Sequence, residues 1–279
     1  MRLITRWTEI HKGDRNHPIT DPTMASSIEE GIEHYISGRY REAVDAFKQA
    51  LRTRPDDGQI YYELGKAYFA LGDHPRAIRA LNKAVLINAY DVESLYWLGL
   101  IYLAQNKPKE AIKALKKCPE LLPIHPAAPY VLGRAYKAQG QYQKAIDAYK
   151  LLLEEYPDQA RPYLEISKVY YEMKLLDDAE RWVKQAIKRK PDYAEAYYWL
   201  GAVLDIRGGF FVAMQAYEEA VRIEPNHARA HSMLGMSHLS ILSYKEARHH
   251  LERAVALNPD DHESRRLLAK AEREIRKRK

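Results

Sequence analysis

The chain has 279 residues, a net charge of +6 and one cysteine, Cys118, which excludes an intramolecular disulfide and favours a reducing compartment. The positive charge lies at the ends of the chain, because residues 24–261 contain 32 basic and 32 acidic side chains, and this balance argues against a nucleic-acid-binding surface along the body. No run approaches the roughly 20 apolar residues that span a membrane, and the apolar stretch after Met1 is too short for a secretory signal, so we expect a cytoplasmic protein.

Residues 1–23 match no repeat. They contain His17-Pro18 and Asp21-Pro22 steps and one tryptophan, Trp7. Two interpretations are open: a flexible leader, or a strip that Trp7 anchors on the rest of the chain. The leader is the simpler interpretation.

From Ala43 to Ala247, an alanine recurs every 34 residues. Six of the seven alanines are followed by a proline twelve residues later. The alanines are Ala43, Ala77, Ala111, Ala145, Ala179, Ala213 and Ala247. A fixed period in this range is typical of stacked repeat proteins, in which each repeat buries its apolar face against its neighbours. We predict seven repeats, each with positions numbered 1 to 34, over residues 24–57, 58–91, 92–125, 126–159, 160–193, 194–227 and 228–261.

Each repeat reads as helix, turn, helix. Glycine at position 8, as in Gly65, costs a helix about 1 kcal/mol relative to alanine, so we expect close approach of the second helix there, with the alanine at position 20 as its counterpart. A turn glycine such as Gly72 suits the end of the first helix. Five residues near the repeat boundaries are predicted to cap the following helix: Asp57, Asp91, Asp158, Asp192 and Asn226.

The end of the third repeat departs from this pattern. Pro119, Pro123, Pro126 and Pro129 fall within eleven residues, and prolines inside a helix break it. We predict a second helix that ends near Cys118, an irregular connector with a bend, and Pro129 in the first turn of the next helix. Cys118 is read as a small buried filler, because most other repeats have alanine in its place.

No motif indicates catalysis, a cofactor or a metal. Five histidines cluster late in the chain: His227, His231, His238, His249 and His250. His231 and His238 are seven residues apart and share a helical face, and both occupy packing positions, so a buried structural role is preferred over a zinc site. Carboxylate pairs such as Glu154-Glu155 are expected on solvated surfaces.

Residues 262–279 predict a single helix with Leu267, Leu268 and Ile275 on its packing side. A polar capping helix is the expected end of a repeat array. The basic residues 276–279 are attributed to the helix C-terminus, with a nuclear-import signal or an electrostatic patch as alternatives.

The motif of each repeat, as in Leu132-Gly133, Tyr136, Gly140, Ala145 and Pro157, resembles the tetratricopeptide repeat family over residues 24–261. The resemblance implies an all-α solenoid of helix-turn-helix repeats, a right-handed superhelix whose first helices line a concave groove. It also implies a non-catalytic role, in which the groove holds a peptide or helix of another protein.

Helical geometry separates a packing stripe at positions 4, 7, 8 and 11 from a second stripe at positions 2, 5, 9 and 12, about 130° away. In the family the second stripe lines the groove. The candidate groove residues are Tyr62, Lys66, Phe69, Tyr96, Leu100, Tyr130, Arg134, Lys137, Arg161, Lys168, Tyr171 and Tyr198, with Leu103, Leu164, Asp205, Arg229 and Met236 at further matching positions.

These side chains suggest a ligand with apolar anchors toward the N-terminal half and an acidic group near Arg134, Lys137, Arg161 and Lys168. In the simpler alternative, Lys168 forms an ion pair with Glu172, four residues further along the same helix, and has no role in binding. The predicted function is a protein-interaction scaffold or adaptor. A self-assembling scaffold, in which the leader or first repeat fills the groove of another copy, is the alternative, and RNA binding by a helical solenoid is less favoured.

Overall fold

The computed structural model describes residues 22–117 and 127–278, with side chains from Ser27 onward. These residues form fifteen helices and no strand, which confirms the predicted fold class. The helices are α1 (Pro22–Ile36), α2 (Tyr40–Thr53), α3 (Gly58–Ala70), α4 (His74–Ile87), α5 (Val92–Ala104), α6 (Pro108–Leu115), α7 (Ala128–Ala138), α8 (Tyr142–Glu155), α9 (Ala160–Glu172), α10 (Leu176–Arg189), α11 (Ala194–Ile206), α12 (Phe210–Ile223), α13 (Ala228–Ser240), α14 (Tyr244–Leu257) and α15 (His262–Lys277).

The chain divides into two compact units between Ala128 and Pro129. The N-terminal unit contains α1–α6 and the C-terminal unit contains α7–α15. Within each unit, helices packed as pairs stack on the next pair in sequence. Helices α3, α5, α9, α11 and α13 begin at the first residue of a 34-residue repeat.

Glycine at position 8 makes room for a large side chain from the second helix. A Cβ on Gly133 would lie 2.5 Å from Tyr149 Cε1, and a Cβ on Gly65 would lie 2.6 Å from Leu81 Cγ. Tyr149 and Leu81 both occupy position 24. The alanine at position 20 is buried, as Ala77 shows, and its carbonyl would lie 3.5 Å from a Cβ on Gly65. The nearest atoms, however, belong to the side chain at position 24, which was not predicted.

The fifth repeat has different residues at positions 8 and 24. It has Ser167 at position 8 and the smaller Val183 at position 24, so a side chain fits where the other repeats need glycine. The buried Ser167 hydroxyl donates a hydrogen bond to the Ala179 carbonyl at 2.7 Å. This contact joins α9 to α10 directly.

All seven turns between first and second helices place the residue at position 15 in the left-handed region. Four of these residues are the predicted glycines, Gly38, Gly72, Gly140 and Gly208, with φ between 69° and 84°. The other three are Asn106, Lys174 and Leu242, with φ between 56° and 62°. The turn geometry is therefore kept even where glycine is absent.

Two of the five predicted helix caps are present. Asp57 accepts hydrogen bonds from Gln59 N and Ile60 N, and Asp91 accepts one from Ser94 N. Asp158, Asp192 and Asn226 do not cap, because each lies one residue before the N-cap position of its helix. The cap position is number 34 of the repeat, which only some repeats fill with aspartate.

Helix α6 has 8 residues and ends at Leu115, whereas α2, α4 and α8 have 14. The shortened second helix is confirmed, and Pro129 is the second residue of α7, within its first turn, as predicted. The predictions for Cys118, the connector and its bend fall on residues 118–126, outside the described residues, as do those for Trp7 and the rest of residues 1–21.

Helix α15 packs on α14 and covers the last repeat. Leu267 and Leu268 pack against the buried Leu239, Leu251 and Ala271. Asp261 caps α15 by accepting from Ser264 N at 3.1 Å. A search of the described helices for a segment long and apolar enough to cross a bilayer finds none.

Candidate functional site

In the C-terminal unit, two arginines surround Tyr130 on the predicted binding stripe. The Arg161 Cζ atom lies 4.4 Å from the centre of the Tyr130 ring, and the Arg134 Cζ atom lies 6.0 Å from it. Burial and the nearby Glu165 raise the pKa of Tyr130, while the two arginines oppose the shift. Both arginines are exposed, and neither forms an ion pair with a described residue.

The two lysines of the predicted cation cluster are already paired. Lys137 Nζ lies 3.1 Å from Glu172 Oε1. Lys168 Nζ lies 3.1 Å from Glu165 Oε1 and 3.4 Å from Glu195 Oε1, so the suggested pairing of Lys168 with Glu172 was wrong. Four cations that looked equivalent in sequence therefore separate into two paired lysines and two exposed arginines.

Glu195 is the centre of a network that the sequence analysis missed. Its carboxylate accepts hydrogen bonds from Trp199 Nε1 at 2.9 Å and from Arg229 at 2.7 and 2.8 Å. His227 Nε2 lies 3.2 Å from it. Because His227 Nδ1 accepts from the backbone N–H of Ala230 at 3.2 Å, Nε2 is the atom that donates to Glu195.

Burial alone would raise the pKa of Glu195, but the hydrogen bonds from His227 and Trp199, with the charges of Lys168 and Arg229, hold it well below its usual range. The carboxylate is therefore ionised and occupied within the chain. One sequence signal pointed to this pair: Glu195 and Arg229 are 34 residues apart and occupy position 2 of adjacent repeats.

Two of the predicted aromatic residues of this unit pack against the same tryptophan, Trp199. Tyr171 and Tyr198 both meet Trp199 edge-on, with ring centroids 5.3 and 5.7 Å apart. Arg229 lies 4.7 Å from the centre of the Tyr198 ring. Leu164, at a matching position, is fully buried in the core beside Val183 and is not a surface residue.

The N-terminal unit carries a separate aromatic surface. Phe69 meets Trp97 edge-on at 5.4 Å, and Tyr96 lies beside the same tryptophan at 6.3 Å. Lys66 lies 4.5 Å from the centre of the Tyr62 ring and pairs with Glu63 at 2.7 Å. These rings are half-buried, and so is Leu100.

Trp97 and Trp199 both occupy position 6, which the sequence analysis left unassigned. Position 6 is four residues from position 2, so it lies only about 40° around the helix from that stripe. This angle was a signal that the two tryptophans belong to the same face.

Family models match most of the repeat-containing part of the chain. Tetratricopeptide repeat models match residues 28–92, 136–204 and 212–271. The chain belongs to the tetratricopeptide repeat family. A model described as anaphase-promoting complex, cyclosome, subunit 3 also matches residues 83–151. A search of curated proteins returns no match.

Three solved structures illustrate the likeness. A crystal structure of the MamA protein is 28% identical, with a TM-score of 0.57, over 62% of this chain and 94% of that chain. A tetratricopeptide repeat protein from Parabacteroides merdae is 18% identical, with a TM-score of 0.73, over 90% and 99%. The hetero-tetramer Cut9-Hcn1 of the APC/C is 16% identical, with a TM-score of 0.65, over 95% and 51%. The last two show the fold alone.

Membership of this family makes the chain a protein-interaction scaffold in general terms, and the family is generally non-catalytic. Within residues 22–117 and 127–278, no group of three metal-ligating side chains is arranged to hold an ion.

Proposed function

We propose that the C-terminal unit binds an acidic segment of another protein, as a peptide or helix, and that Arg134 and Arg161 receive a carboxylate of that segment. The observation that supports this proposal is the contrast in pairing. Lys137 and Lys168 have carboxylate partners within 3.5 Å, whereas Arg134 and Arg161 are exposed and have none among the described residues.

The paired groups around these arginines give the surface a fixed geometry. Lys168 and Arg229 bracket the half-buried Glu195, whose carboxylate also holds Trp199. Partly buried ion pairs that share hydrogen bonds keep their side chains in place better than solvated single pairs do. A partner would therefore bind a surface whose side chains are already held in place. Arg134 and Arg161, which are exposed, can form new ion pairs with it.

Arginine suits this role because its planar guanidinium can bind a carboxylate through two parallel hydrogen bonds. Arg161 lies at 4.4 Å over the Tyr130 ring, which limits its freedom before a ligand arrives. Less entropy is lost on binding when the side chain is already held. Tyr130 itself offers a flat ring for apolar contact beside the charged group.

For the N-terminal unit we propose a second contact surface of apolar character. Phe69, Tyr96 and Trp97 form an aromatic cluster, and rings of this kind are common anchors at protein interfaces. Lys66, the cation predicted on this surface, is paired with Glu63 and in this differs from Arg134.

The test begins with a randomised 12-residue peptide library displayed on phage and selected against the full chain. We expect the selected peptides to share an aspartate or glutamate. The Arg134→Ala/Arg161→Ala variant should bind the best peptide about tenfold more weakly in fluorescence anisotropy, since a hydrogen bond to a charged group contributes about 1.5–3 kcal/mol in favourable cases.

The matched control is Arg181→Ala/Arg222→Ala. Both of these arginines are exposed on second helices of the same unit and pair only with neighbouring acidic residues. Its affinity should equal that of the wild type. Selected peptides without an enriched acidic residue, or equal losses in the two double variants, would contradict the proposal. Light scattering over a wide concentration range tests the competing proposal of self-association.

A further inference from the structure

The hydroxyl of Tyr149 on α8 is buried and lacks a hydrogen-bond partner among the described residues. The side chain itself is fully buried, with 0% exposure. A buried donor without a partner lowers the stability of the folded chain, so it calls for an explanation.

Packing does not require this hydroxyl. Phe47 occupies the same position, number 24, in the first repeat and packs in the same way: a Cβ on Gly31 would lie 2.5 Å from Phe47 Cε1, as a Cβ on Gly133 would from Tyr149 Cε1. Phe47 is also fully buried. The aromatic ring alone therefore fills the space over the glycine, and the oxygen of Tyr149 is additional.

The Tyr149 ring lies directly beside a residue of the proposed binding face, Tyr130, with ring centroids 5.9 Å apart. The outer edge of the Tyr149 ring packs over Gly133 of α7. A Cβ on Gly133 would lie 2.7 Å from Tyr149 Cζ. Burial raises the pKa of Tyr149 above its usual value, and the charges that act on the hydroxyl come from Glu165, Arg134 and Glu172, all on first helices. Although Tyr149 belongs to a second helix, its hydroxyl is therefore close to charged groups that the first helices contribute.

We infer that the Tyr149 hydroxyl is a specificity-determining donor, which gives a hydrogen bond to the carboxylate of the bound acidic segment while Arg134 pairs with the same group. This inference rests on the proposed function of the arginine face. Because the hydroxyl is buried, the inference requires the exposed Arg134 side chain to move when the ligand binds. The raised pKa keeps the hydroxyl protonated, and hence a donor, at neutral pH.

Tyr217 provides an internal comparison. It also occupies position 24 and is 1% exposed, and its hydroxyl has no hydrogen-bond partner within the described part of the chain. The charged group that acts on it is Asp205, a carboxylate, with no arginine among the causes of its raised pKa. Carboxylates also act on Tyr149, but Glu165 is paired with Lys168 and Glu172 with Lys137, whereas the exposed Arg134 has no ion pair among the described residues. A ligand carboxylate is therefore expected at Tyr149 and not at Tyr217.

The experiment measures peptide affinity and thermal midpoint for Tyr149→Phe and Tyr217→Phe, with the best acidic peptide from the library as probe. Both variants should melt at the wild-type temperature or about 2–4 °C above it, because each loses an unpartnered buried hydroxyl. Only Tyr149→Phe should bind the peptide more weakly, by about tenfold or more. Replacing the acidic residue of the peptide by its amide should remove most of that difference.

Tyr163→Phe is the third control. Its hydroxyl donates to the Pro157 carbonyl at 3.0 Å, so its removal should lower the melting temperature and leave affinity unchanged. Wild-type affinity in Tyr149→Phe, or an equal loss in Tyr217→Phe, would overturn the inference while the arginine result stands. If the wild-type chain selects no acidic peptide, the proposed function fails first and the inference fails with it.

Discussion

Acidification from pH 7 to pH 5 should destabilise the last repeat through its buried histidines, above all His250. His231 Nε2 lies 3.1 Å from the Pro225 carbonyl, which can only accept, so this nitrogen carries the proton of the neutral ring. His231 Nδ1 must then accept from His250 Nδ1–H, 3.0 Å away. His238 stacks on His250 with ring centroids 5.5 Å apart. The hydrogen bond between His250 and His231 needs a neutral His231, because a protonated His231 has no acceptor nitrogen for His250.

The size of the effect follows from the pKa of His250. Burial, together with the charges of His231, His238 and His249, lowers this pKa from 6.5 to about 4. Because the pKa is lower in the folded state, the unfolded chain binds more protons between these values, so stability is lost as pH falls below 6.5 and levels off below 4. A full shift corresponds to about 2 kcal/mol between pH 7 and pH 5, and partial solvation of the ring reduces this to about 1–2 kcal/mol.

The assay is hydrogen exchange of the α13 and α14 amides at pH 7 and pH 5, corrected for intrinsic exchange rates, because repeat arrays open locally. His250→Gln keeps a donor for His231 and removes the titration, so its protection should change less with pH. His262→Gln, an exposed histidine on α15, should behave like the wild type. An identical pH dependence in the wild type and His250→Gln would refute the reasoning.

Two further predictions concern local backbone energetics. Leu242 has a φ of 61° and is 57% exposed, so Leu242→Gly should raise stability by about 0.5–1 kcal/mol in thermal unfolding, whereas Leu242→Ala should not. Asp91→Ala should cost about 1 kcal/mol, because Asp91 accepts from Ser94 N at 3.0 Å and from the Ser94 hydroxyl at 2.6 Å. Asp192→Ala, one residue before the cap position, should change stability by less than about 0.5 kcal/mol. Equal effects of the two aspartate substitutions would contradict the assignment of the cap.

The 34-residue period predicted the helices well because the two helices of each repeat pack against each other in the same way. Gly72 and Gly140 marked turns whose geometry demands a left-handed residue. The side chain that lies over the position-8 glycine was not predicted, because position 24 varies in type between repeats, as in Leu81 and Tyr149, and sequence alone does not show that it lies nearer Gly133 than Ala145 does.

Charge pairing was the part of the site that sequence could not supply. Spacing along one helix suggested that Lys168 could reach Glu172, but the nearer carboxylates are Glu165, on the same helix, and Glu195, on the next first helix. Glu172 instead pairs with Lys137 from the preceding repeat. Contacts between adjacent first helices depend on how the repeats stack, and this is a property of the fold.

Whether Arg134 and Arg161 hold a carboxylate of the partner is decided by a charge-reversal titration. The Arg134→Glu/Arg161→Glu variant is titrated with the selected acidic peptide and with the same peptide carrying lysine in place of its acidic residue. We predict that the variant loses the acidic peptide and binds the lysine peptide more tightly than the wild type does. Undiminished binding of the acidic peptide by the variant would contradict the account.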